Sequence, residues 1–60
     1  MAFKQARKAA GKTVAETAKA LGVSRQSVYF WEKGETKPTV DMLVKLAEFY
    51  GCSTDELLRN

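Results

Sequence analysis

Apolar positions along the chain recur at helical spacing, and no alternation of apolar and polar residues runs longer than four. Phe3, Ala6 and Ala10 share one face of a first segment, predicted as a helix over about residues 2–10. A second helix is predicted over 14–21. In a third, over 25–33, Val28 and Trp31 share one face. Gln26, Tyr29, Phe30 and Lys33 share the opposite face, at i, i+3, i+4 and i+7. Val40, Leu43, Leu46, Ala47 and Tyr50 make the apolar stripe of a fourth helix over 40–50. Leu57 and Leu58 belong to a last short helix over 54–59.

The residues between these segments are helix starts and stops. Gly11, Gly22, Gly34 and Gly51 close the first four, and Pro38 follows Gly34 in a polar loop. Thr13 with Glu16, and Ser53 with Glu56, have the spacing of capping boxes. Ser24 and Thr39 are the caps expected for the third and fourth helices, and Asp41 places negative charge in a first turn. Five short helices with tight loops predict a compact all-α globule whose helices cross at large angles, since an up-down bundle needs longer helices of matched length.

Sixty residues, 1–60, fit one small domain, and a chain this short buries only roughly 60% of its unfolded surface. Hydrophobic residues make up 45% and charged ones 28%, a globular composition. Ten Lys and Arg against seven Asp and Glu leave a net charge of +3, a lean toward a polyanionic partner that many non-binding domains also carry. Cys52 is the only cysteine and there is no histidine. An intrachain disulfide, a His/Cys zinc site and the Ser-His or Cys-His nucleophile pairs are therefore excluded, and Cys52 reads as a small buried hydrophobe. No apolar run approaches the ~18 residues of a membrane span, and residues 1–5 hold no apolar signal core, so the expected setting is cytoplasmic. The acidic residues are accounted for by caps, one ion pair and solvated faces. Neither an enzyme nor a cofactor is expected.

The most informative stretch is 14–33. Two helices joined by the three-residue turn Gly22-Val23-Ser24 form a helix-turn-helix pattern. Ala18 must be small where the third helix crosses, Gly22 supplies the positive φ of the turn, and Val28 and Trp31 anchor the third helix to the core. These residues, with Leu21-Gly22-Val23-Ser24, Trp31-Glu32-Lys33-Gly34, Lys37-Pro38, Leu46-Ala47, Gly51-Cys52-Ser53 and Leu57-Leu58, resemble the phage repressor/Cro-type, or Xre-like, helix-turn-helix family from Phe3 to Leu58. The resemblance implies a five-helix fold and sequence-specific binding to duplex DNA. It further implies a transcriptional regulator, by preference a repressor, whose third helix enters the major groove.

Side-chain chemistry agrees. Arg25 has the fork for guanine and Gln26 the amide for adenine. Phe30 suits a thymine methyl, and Tyr29 either a base or a phosphate. Thr13, Ser24 and Ser27, near helix starts, are candidates for phosphate oxygens, as are Lys33, Thr36 and Lys37 around the following loop. The structural alternative for Arg25, Gln26, Lys33 and Lys37 is a solvated face; for Phe30 it is the core or an oligomer contact. In the family, an arginine of the first helix pairs with the glutamate that precedes the basic-Gly end of the third; Arg7 and Glu32 fill those positions. Two positions depart from the pattern: Val14 stands where a phosphate-clamping glutamine is common, and Thr17 where a larger aliphatic is. The operators of this fold are usually two-fold symmetric, which implies a pseudo-palindromic duplex and a homodimer, with no small-molecule ligand and no membrane. The alternative is a protein-interaction module, an antitoxin or co-regulator, using the same fold and the neighbouring aromatics Tyr29 and Phe30.

Overall fold

A computed structural model describes residues 2–59. Its elements are α1 (Phe3–Ala9), α2 (Val14–Leu21), α3 (Arg25–Lys33), α4 (Val40–Tyr50) and α5 (Thr54–Leu58), with no strand among the described residues. The all-α expectation holds, and α2, α3 and α4 have the predicted limits. At the outer edges Ala2 and Ala10 flank α1 as its caps, and Arg59 caps α5 instead of extending it.

Local chemistry sets these limits. The Oγ of Ser24, Thr39 and Ser53 each accepts the amide of the residue three further on, at 3.2, 3.3 and 3.2 Å. Ser53 and Glu56 make this one bond of a capping box. The reciprocal bond, from the Ser53 amide to the Glu56 carboxylate, is not made among the described residues, which corrects the expected full box.

The core is shared by all five helices. Phe3 of α1, Leu57 of α5 and the i, i+4, i+7 set Val14, Ala18 and Leu21 of α2 meet Val28 and Trp31 of α3 and Leu46, Ala47 and Tyr50 of α4. The extents are 24 × 23 × 19 Å, nearly isotropic. Two stripe residues differ from expectation. Val40, in the first turn of α4, is 76% exposed, and Leu43 is only half-buried, so the stripe reaches the core from Leu46 onward. Cys52 is half-buried against the core rather than enclosed, and desolvation, with a smaller contribution from Glu56, pushes its thiol pKa up. No helix among the described residues is long and apolar enough to cross a membrane.

Candidate nucleic-acid interface

Two short helices hold the candidate surface, and each begins on a cap. At the start of α2, Thr13 Oγ1 accepts the Glu16 amide at 3.1 Å, and the Thr13 amide donates to Glu16 Oε1 at 3.0 Å. The bond from the Thr13 backbone holds the Glu16 carboxyl below its usual range, so the box is formed at neutral pH. The stop of α2 lies at Gly22, where φ is +71°. The Val23 amide then reaches back to the Ala18 carbonyl at 3.0 Å, and the chain leaves the helix in a tight turn. A β-carbon is strained in that backbone region, which explains why the turn carries glycine.

α3 begins immediately after the turn. The Ser24 and Ser27 hydroxyls lie 3.1 Å apart, so each is engaged with the other at the helix start. Val28 and Trp31 are buried in the core, as expected, and Trp31 is no platform for a base. The opposite side is open: Arg25, Gln26 and Lys33 are exposed, and Tyr29 is 50% exposed. Phe30 is less exposed than the spacing predicts. It is half-buried whereas Tyr29, equally far round the helix from the Val28 and Trp31 side, is exposed, so the packing around α3 and not its spacing sets the difference. Lys33 closes α3 in its last turn, where positive charge suits the dipole. Thr36 and Lys37 are exposed in the loop beyond and bond to none of the other candidates among the described residues.

Arg7 of α1 and Glu32 of α3 form an ion pair that joins the two helices. Arg7 Nε donates to Glu32 Oε2 at 2.7 Å and Nη2 to Oε1 at 3.4 Å, while Nη1 donates to the Lys12 carbonyl at 3.0 Å. The side chains are 13% and 7% exposed. The bond to Glu32 raises the Arg7 pKa further, so the guanidinium stays charged.

Thr17, which the pattern marks as an outlier, has a role that spacing did not reveal. It is wholly buried; its hydroxyl donates to the Thr13 carbonyl at 2.9 Å and accepts from the Tyr50 hydroxyl at 3.2 Å. A line of bonds thus runs from α4 through α2 to its capping residue. Lys4 is the second residue missed. Three positions before Arg7, it shares that face of α1, and it lines a groove with Arg7, Val14, Tyr29, Glu32 and Lys33. The i, i+3 spacing was the available signal.

Comparison with known proteins places this arrangement. The family model described as helix-turn-helix matches residues 3–57. The transcriptional repressor RstR of cryptic phage CTXphi in Vibrio cholerae is 45% identical over 51 residues, which cover 85% of this chain and 46% of that protein. The helix-turn-helix-type regulator ImmR of Bacillus subtilis is 38% identical over 56 residues, 93% of this chain and 44% of its own. A putative regulatory protein of the same type from Sulfurisphaera tokodaii is 40% identical over 49 residues, 82% and 17% respectively. The chain therefore spans less than half the length of these relatives, and no solved structure matches it. The match over nearly the whole chain, the Gly22 turn, and the core-anchored third helix agree: the chain belongs to the helix-turn-helix family, of the phage repressor/Cro type.

Proposed function

We propose that the chain is a duplex DNA-binding transcriptional regulator, a repressor by preference, acting in the cytoplasm by occupying an operator. The observation that carries the reading is the two-sided character of α3: Val28 and Trp31 lock one side into the core, and Arg25, Gln26 and Tyr29 stand open on the other. Inserted into the major groove, Arg25 takes guanine and Gln26 adenine, each in a two-bond contact, while Phe30 meets a thymine methyl and Tyr29 a base or, through its hydroxyl, a phosphate. Thr13, Ser24, Ser27, Lys33, Thr36 and Lys37 hold the flanking phosphates. The names of RstR and ImmR, a repressor and a regulator, support the same reading.

The operator is pseudo-palindromic and the bound form a homodimer, with half-sites about 34 Å apart. Selection of bound duplexes from a random library tests this at physiological salt. The expected result is two inverted half-sites separated by one helical turn, with Arg25→Ala relaxing the preference at a single position. No enrichment by a folded chain would overturn the reading and leave the protein-interaction module in its place.

A further inference from the structure

The groove between α1 and α3 holds more charge than the helix-turn-helix itself supplies. It measures about 300 Å³ and is lined by Lys4 and Arg7 of α1, Val14 at the start of α2, and Tyr29, Glu32 and Lys33 of α3. Arg7 and Glu32 neutralise one another there, and the arginine's donors are committed to Glu32 and to the Lys12 carbonyl. Lys4 and Lys33 are exposed, and neither forms an ion pair among the described residues. The lining thus carries a net charge of +2, beside the neutral walls of Val14 and Tyr29. Tyr29 and Lys33 also belong to the outward side of α3, so the groove adjoins the surface assigned above to the duplex.

We propose that this groove seats one backbone phosphate of the bound duplex between Lys4 and Lys33. Lys4 then becomes a DNA-contacting residue outside the helix-turn-helix, and α1 becomes part of the binding surface. The inference rests on the DNA-binding reading. A phosphodiester carries one negative charge and only acceptor oxygens, which suits two unpaired ammonium groups lining one groove. The Arg7–Glu32 pair, in the same groove, ties α1 to α3, the two helices that carry Lys4 and Lys33.

The test is the salt dependence of binding to a duplex recovered by the selection above, for the wild-type chain, Lys4→Gln and Lys45→Gln. Lys45 is exposed on α4 outside the groove, and its substitution removes the same net charge. Lys4→Gln is expected to melt like the wild type and to lower the slope of log K against log salt by about 0.9, equivalent to about fivefold weaker binding near 0.15 M. Lys45→Gln is expected to leave the slope near the wild-type value. Duplexes with a neutral methylphosphonate at successive backbone positions locate the contact: the penalties of Lys4→Gln and Lys33→Gln should both vanish at one shared position. A slope for Lys4→Gln no lower than that of Lys45→Gln, or a penalty that persists at every methylphosphonate position, would overturn the groove while leaving the DNA-binding reading intact. A wild-type chain that binds no duplex at any salt overturns both.

Discussion

At position 17 a hydroxyl occupies a place where the family commonly carries a larger aliphatic. Thr17 is enclosed without loss because both bonding directions are used, one toward the Thr13 carbonyl and one from Tyr50. Burial raises the Tyr50 phenol pKa, the Thr17 bond offsetting only part of that effect. A raised folded-state value means that the neutral phenol contributes stability below the unfolded pKa of about 10, and that this contribution is lost as pH rises through the folded value. Tyr50→Phe should therefore cost about 1 kcal/mol at neutral pH, yet lose less stability than the wild type above about pH 10. Denaturant melts of both chains between neutral and alkaline pH check this; parallel curves would remove Tyr50 as the source. Spacing could not have revealed the pair, since its members lie 33 residues apart and the pattern records only polarity. Phe30 shows the same limit: four positions on one helix face are not equally exposed, because the neighbouring helices decide how much of each is covered.

Helix limits were legible because their causes are local. A cap bonds within three residues and a glycine stop within five, so Thr13, Glu16, Ser24 and Gly22 could be read directly. Val40 could not, since periodicity assigns a face to α4 without saying where along it the neighbours begin. At the turn, nothing lies within 4 Å of where a Gly22 β-carbon would stand, so the cost of adding one is backbone strain and no collision. Gly22→Ala should lose about 1–2 kcal/mol and lower the melting temperature by roughly 4–8 °C per kcal/mol. Thermal melts followed by circular dichroism measure it. An unchanged melting temperature would mean that the turn relaxes out of the left-handed region.

For the molecule as a whole, the controlling contact joins residues 25 positions apart, Arg7 on α1 and Glu32 on α3. Composition and spacing gave no reason to pair them; only the family resemblance did, because any of ten basic and seven acidic residues offered the same charges. Two charges so withdrawn from water gain little net stability from each other, yet removing one leaves its partner stranded. Arg7→Ala is expected to cost about 3–5 kcal/mol, a large share of what a domain of this size possesses, and to weaken duplex binding through loss of fold. Melting and binding measured on one preparation separate the possibilities: lost binding at unchanged melting temperature would assign Arg7 a direct role on the duplex.

The amide of Ala2 donates to the carbonyl of Leu57 at 2.9 Å, which brings the two ends of the described path side by side. Topologically the five helices form a ring cut at one point, and the cut is free to move. A linker of a few glycines and serines joining residues 2 and 59, with new ends opened between the exposed Thr36 and Lys37, falls within no helix and leaves in place the Gly34 and Glu35 amide bonds that close α3. The same closeness lets the unit be spliced into a surface loop of another protein, entering and leaving at a single place on the host.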